Sequence, residues 1–566
     1  MSDLISTICD FGRAPDGKKA FEAWLGMDDA LGFLKGNAKE RELVIYAANV
    51  HTFINVVIVP NALLDPPDID DLMEWNFNAT SSWGIWTRFS DPPEISIGKP
   101  LDNMGKTFSH GEQLVFARSF EGRIGNKSYY EILQKFIHLF DLHFLAERNA
   151  YCRLDERGDI EEVVRIVRVP RSKDDWFSST MISVDRDVLD DYLHLTDSSL
   201  VRMFDFTRYR PGSFGGWNHP IDSKETKEPE FAFRMGFEPG HAAYIRGVQV
   251  IRSAATRTDL LRRHGFPREE KREYASFITY DWRHRTVCEI STEPGATANY
   301  FQKSDLPFEV SPAFFRPEVL LKYKADTEKY SLKDRSISCR GSWYLKSYDI
   351  NDAGQIHAYI CDLRHLPYEE QLYWKGYNEP PKGPISKRAF TTDFEGQFYS
   401  GYDALSSLKH MLAELKDRGI PWWTLRDDDL PHKVHYPVTA SPDEWADEII
   451  RLDQLLIEGF EEKWLREKAR LLGRTTDPAF RSLKLAEECL IGLEFETDHA
   501  ANILGPLREV HGLRSKLKGH ATGQDATELK KKALADYGSY KEHYRSLVQR
   551  CDESMHTIVE ALDKVK

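Results

Sequence analysis

From Ser441 onward the chain repeats apolar residues at three- and four-residue spacing, a pattern that helices packed on one another can bury. Ser441-Pro442-Asp443-Glu444 opens this stretch with a capping serine, a proline at the first helical position and acids in the first turn. The periodicity runs to Leu472, and Gly473-Arg474-Thr475-Thr476-Asp477-Pro478 breaks it. Three further helices fit 479–496, 500–518 and 528–562, the last with a break near Gly538. Residues 440–566 are therefore expected to form an all-α helical bundle.

The rest has a different texture. Residues 1–170 mix strand-like and helical patterns. The apolar run 53–59, ending at Pro60, fits a buried strand. Residues 129–148 carry apolar side chains at helical spacing after Asn126-Lys127-Ser128. Runs 150–154 and 163–167 flank a turn containing Gly158 and fit a hairpin. Residues 175–425 are rich in Trp, Tyr, Phe, Pro and Gly, with short apolar runs at 243–251, 276–280 and 356–360. No fixed-period repeat is visible, which argues against a solenoid or propeller. The expected fold class is α+β multidomain: a mixed α/β N-terminal domain (1–170), a β-rich middle domain acting as sensor or scaffold (175–425), and the helical domain (440–566).

Composition narrows the functional classes. The 566 residues suggest three or four domains at roughly 150 residues each. With 41% hydrophobic and 29% charged residues, a soluble globular protein is expected. A net charge of −14 disfavours broad polyanion binding but leaves room for a local basic site. The most apolar stretch, 43–59, is interrupted by Asn49, His51, Thr52 and Asn55 and falls short of the ~20 apolar residues of a membrane span. Residues 1–19 lack the pattern of a signal peptide. The seven scattered cysteines contain no CxxC pair, so reduced thiols in a cytoplasmic protein are expected.

One segment of the helical region holds a permanent cation and a proton-transfer group at a fixed short spacing. It reads Leu507-Arg508-Glu509-Val510-His511-Gly512-Leu513-Arg514-Ser515-Lys516-Leu517-Lys518-Gly519-His520. On a helix, Leu507, Val510, His511, Arg514 and Lys518 fall on one stripe. Gly519 is a natural cap, which puts His520 just past the helix end. An arginine fork binds a phosphate and stabilises charge developing in phosphoryl transfer. A histidine moves protons near neutral pH. RNA supplies its own nucleophile, the 2′-hydroxyl, so arginine plus histidine is a sufficient kit for cleavage without a metal.

Residues 503–523 resemble the Arg-x(4–6)-His motif of HEPN domains, in a similar helical setting. The resemblance covers about the last 100 residues. It implies a four- or five-helix bundle of a kind that includes metal-independent ribonucleases of toxin–antitoxin, abortive-infection and CRISPR systems. Carried over by position, Arg514 would stabilise the phosphate and His520 would transfer the proton. Ser515, Lys518, His511 and Glu496 would support them, and Lys516, Lys518 and Arg508 would hold the RNA backbone. No metal or other cofactor is implied. A homodimer is, because one copy supplies half of a composite site. The partners expected are RNA and a phage-derived or other protein trigger, in the cytoplasm and without a membrane. Family members often carry Asn, Asp or His directly after the arginine, whereas this chain has Ser515. The competing expectations are a non-catalytic HEPN-like dimerisation or nucleotide-binding module, and a basic helix end with no chemistry.

Other signals carry less. Met104-Gly105-Lys106-Thr107 has Pro100 where a phosphate loop needs its first glycine, and 122–128 has the wrong spacing. His138 and His143 are five residues apart and would diverge around a helix. Asp281 and Glu289 sit as acids do in some metal nucleases, but Ser291 occupies the position of the usual lysine. The aromatic runs at 338–344, 368–375 and 421–423 fit either a recognition surface or a core.

Overall fold

The computed structural model describes residues 3–75, 83–99, 101, 104–122, 125–169, 179–210, 212, 214–217, 222–265, 272–399, 401–518 and 523–563. The chain is of mixed α and β structure with several antiparallel sheets and a helical C-terminal part. It forms two compact units: Met1–Asp155 with Asp159–Glu270, and Lys271–Lys566 with Glu156–Gly158.

The first unit is built on an eleven-stranded antiparallel sheet. Its order is Asp222–Glu228, Phe231–Glu238, Ala242–Ile251, Ser198–Tyr209, Thr52–Pro60, Glu42–Ala48, Ser179–Asp185, Ile160–Val169, Ala150–Leu154 and His143–Leu145, with Glu112–Gln113 beside Thr52–Pro60. Thr52–Pro60 lies inside the sheet and is buried on both faces: Val56 and Ile58 enter one core, Val57 and Val59 another. That explains its nearly continuous apolar run. Each such side chain contributes about 1.5–3 kcal/mol on burial. The 150–154 hairpin forms as expected, with Ala150–Leu154 paired to Ile160–Val169.

Two expectations for this unit need correction. Residues 129–148 are not one helix. They hold the end of strand Gly125–Ile132, a short helix Gln134–Leu139 and strand His143–Leu145. Strand Val115–Gly122 claims the first segment by pairing, and Asp141 adopts φ 50°, which a helix does not tolerate. The expected boundary at 170–175 also falls inside the sheet. Strands Ile160–Val169 and Ser179–Asp185, on either side of it, are hydrogen-bonded neighbours. Long-range pairing, which leaves no local composition signal, unites the two ranges.

The second unit joins a smaller α+β part to the helices. Strands Ser276–Asp281, Thr286–Ser291, Pro312–Phe315, Asp349–Ile350, Ile356–Tyr359 and Asn378–Glu379 make a six-stranded sheet. Its core includes Phe277, Phe315, Tyr323, Trp343 and Trp374. The helical core begins earlier than residue 440: Leu408 and Leu412 on Ala404–Arg418, together with Trp422 and Trp423, pack with Trp445, Leu452, Leu507 and Leu547. The four tryptophans of the aromatic runs are therefore core, not surface: Trp343, Trp374, Trp422 and Trp423 are all buried.

The helix signals behave as their chemistry requires. Ser441 caps Pro442–Leu456 by accepting from the Asp443 and Glu444 amides. Gly473 and Gly538 adopt φ 77° and 75°, the left-handed conformation that ends a helix. The segments expected at 479–496 and 500–518 are shorter or divided: Ser482–Gly492, Thr497–Ile503 and Gly505–Lys518. The last segment divides into Gly523–Tyr537 and Tyr540–Asp563. Among the described residues, no helix is long and apolar enough to cross a membrane.

Candidate functional site

The Gly505–Lys518 helix lies against Pro442–Leu456, with Leu507 and Val510 fully buried in the shared core. Its sequence stripe runs from that core to the surface. Leu507 and Val510 point inward, Arg514 is half-buried, and His511 and Ser515 are exposed. One helix thus anchors itself by leucine and valine and carries polar groups along its rim.

Asp453 of the facing helix organises that rim. Its side chain is completely buried. Oδ1 lies 2.9 Å from His511 Nδ1, and Oδ2 accepts from Arg514 Nη1 at 2.8 Å. The other arginine terminus, Nη2, donates to Glu458 Oε1 at 2.6 Å. Glu458 stands in the turn that follows the Pro442–Leu456 helix, and Arg426 Nη1 holds its second oxygen at 3.2 Å. Burial pushes the Asp453 carboxyl above the ordinary carboxylate range; the His511 hydrogen bond and the Arg514 charge oppose this without cancelling it.

With Asp453 ionised, the carboxylate has no proton to give, and His511 Nδ1 is then the nitrogen that donates in this pair. The imidazole side chain is half exposed, and its Nε2 has no protein partner among the described residues. The arrangement places a proton acceptor and a guanidinium side by side at a helix edge, both fastened to one aspartate.

His520 lies outside the described residues, as do Gly519 and the side chain of Lys518. Ser515 is exposed, and its hydroxyl donates to the His511 carbonyl at 2.9 Å, so it serves its own helix. Glu496 is exposed at the start of Thr497–Ile503 and is not a partner of Arg514. That role falls to Asp453 and Glu458. Arg508 is paired with Glu487, which leaves it a weaker candidate for backbone binding than the exposed Lys516. Lys530 pairs with Asp443 at 3.1 Å.

Asp453, Glu458 and Arg426 were missed by sequence reasoning. Asp453 had one legible signal: it stands four residues after Ile449 on the buried stripe of an amphipathic helix, where an acid needs partners. The discounted signals find structural uses. Asp71 accepts from the Lys106 and Thr107 amides at 3.0 and 2.8 Å, occupying the donors that a phosphate would need. His143 lies 3.3 Å from Asp141, both open to solvent. Glu289 pairs with Lys375 at 3.2 Å. Among the described residues, no group of three or more His, Cys, Asp and Glu is placed to hold a metal ion. The cysteines are free, and Cys152, Cys339, Cys489 and Cys551 are buried.

Ser386, His357 and Asp349 look like a catalytic triad by type but not by geometry. The Ser386 hydroxyl donates to Asp349 at 2.7 Å, and its amide, not its hydroxyl, donates to His357 Nε2 at 3.1 Å. Serine here caps the Lys387–Asp393 helix. Comparison with known protein families, curated proteins and solved structures gives no match for this chain.

Proposed function

We propose that this protein is a metal-independent RNA endonuclease of the HEPN-like kind, acting in a bacterial anti-phage defence or toxin system in the cytoplasm. In this reading Arg514 stabilises the phosphate, His520 takes part in proton transfer, and a homodimer completes the site. The N-terminal and middle regions, 1–170 and 175–425, sense or regulate. One observation carries the reading: Arg514 and His511 share the carboxylate of Asp453 at a solvent-accessible helix edge. Two of the guanidinium N–H groups are used there, and the others remain for a phosphate. The chemistry requires no metal because the nucleophile is the substrate's 2′-hydroxyl.

The test is incubation of purified protein with RNA in EDTA, alone and with candidate triggers. The expected products carry 2′,3′-cyclic phosphate or 3′-phosphate and 5′-hydroxyl ends. Arg514→Ala and His520→Ala should abolish the cleavage, and equal cleavage by both variants would sink the assignment.

A second reading has its own support. Both Nη atoms of Arg514 already hold carboxylates, and an arginine so engaged is what a structural clamp requires. The helices would then form a non-catalytic dimerisation or nucleotide-binding module. Absence of cleavage under every condition, with an intact dimer in sedimentation, favours this reading.

A further inference from the structure

We infer that His511 accepts the 2′-hydroxyl proton in the proposed cleavage, and that Asp453 is its positioning residue. The inference rests on the endoribonuclease reading above and deepens it. His511 and Arg514 are three residues apart on one helix, so their side chains are neighbours at a fixed separation. The Gly505–Lys518 helix is anchored by Leu507 and Val510, both fully buried, which places the pair on a rigid element.

The completely buried Asp453 then fixes both members at once. Its Oδ1 holds the His511 ring through Nδ1, and Nε2 has no hydrogen-bond partner among the described residues. Its Oδ2 holds Arg514 Nη1. No other side chain or backbone group is hydrogen-bonded to the Asp453 carboxylate among the described residues. The carboxylate thus serves these two rim groups and no turn or helix cap. His511 pairs with Asp453, which also holds Arg514; Arg514 in turn pairs with Glu458, and Glu458 with Arg426.

His511 Nε2 takes the proton of the 2′-hydroxyl as O2′ bonds to phosphorus. The phosphorus–O5′ bond breaks, its electron pair staying on O5′, which takes up a proton from solvent. Asp453 stabilises the imidazolium formed at His511, and Arg514 stabilises the charge on the phosphorane oxygens. The products are a 2′,3′-cyclic phosphate and a 5′-hydroxyl, and His511 returns its proton to water.

The experiment uses the full-length protein and a short RNA oligonucleotide in EDTA, comparing wild type with His511→Ala, Asp453→Asn, Arg514→Ala and His520→Ala. His511→Ala is expected to lower kcat by about 10²- to 10⁴-fold with little change in KM. Asp453→Asn is expected to lower kcat by about tenfold or more, and to change the basic dependence of the pH–rate profile. Nitrogen-15 histidine spectra give a readout that needs no activity: wild-type His511 should be protonated at Nδ1, and Asp453→Asn should shift it toward the Nε2 form. Full activity in His511→Ala with none in Arg514→Ala would overturn the inference and leave the ribonuclease reading standing. Wild-type protein that never cleaves would overturn both. An Nε2-protonated His511 in the wild type would overturn the positioning role of Asp453.

Discussion

The second unit contains two histidines that look alike in isolation. His511 is 50% exposed on an aspartate, Asp453, that is 0% exposed; His284 is 47% exposed on Asp281, which is 2% exposed. The difference lies in what else each aspartate does. Asp281 closes the turn between strands Ser276–Asp281 and Thr286–Ser291, accepting from the Arg283 and His284 amides at 2.8 and 3.4 Å. Its histidine is three residues away, part of the same turn. The neighbouring Arg283 guanidinium stacks on Phe308 and is directed to the Ser304 carbonyl. Asp453 instead reaches across to another helix, 58 residues along the chain to His511 and 61 to Arg514. A carboxylate spent on its own turn is structural. A carboxylate buried to hold two distant rim groups has no local structure to serve.

That contrast can be broken by substitution. The largest expected effect is on the proposed cleavage: Asp453→Ala should lower it by about 10²-fold or more, while Asp281→Ala stays within about twofold of wild type. Parallel RNA assays in EDTA check this, and equal losses would erase the distinction. Next, Asp281→Ala should destabilise its hairpin by about 1–3 kcal/mol, because two turn amides lose their acceptor. Hydrogen exchange at Arg283 and His284 should accelerate, whereas amides of the Gly505–Lys518 helix should not respond.

A third effect is the pH dependence of stability. The folded Asp453 pKa lies above its ordinary value of 3.8, so the folded state binds this proton more tightly than the unfolded state. Stability contributed by this group is therefore present at low pH and falls as pH rises from about 3.8 through the raised folded value. Asp453→Asn should remove that decline. Denaturant midpoints of both proteins across about pH 4 to 7 test the sign; a wild-type midpoint that rises relative to the variant over this range contradicts it. The smallest effect belongs to Ser515. Its hydroxyl bonds the His511 carbonyl one turn back, so Ser515→Ala should change stability by about 0.5 kcal/mol or less and leave cleavage intact. A large loss of activity would instead give Ser515 a role at the reacting phosphate.

Local chemistry made part of this molecule readable from its residues. Ser441 before Pro442 fixes a helix start because the hydroxyl is within reach of the amides that a helix leaves unpaired. Gly473 and Gly538 mark helix ends because the required conformation suits glycine. The apolar run in Thr52–Pro60 could only be buried, and it is. Residues 129–148 misled because apolar residues at helical spacing also satisfy a strand followed by a short helix, and the partner strand Val115–Gly122 decides between them. The absence of a boundary at 170 was equally hidden, since sheet neighbours need not be chain neighbours.

At the candidate site the same division holds. The sequence by itself determined that His511 and Arg514 stand on one helix face beside an apolar seam, because helical geometry fixes residues three apart. Only the tertiary structure decided that Asp453 and Glu458 hold them. An aspartate in an amphipathic helix reads as solvated until another helix covers it, and burial then makes its two hydrogen-bond partners a necessity.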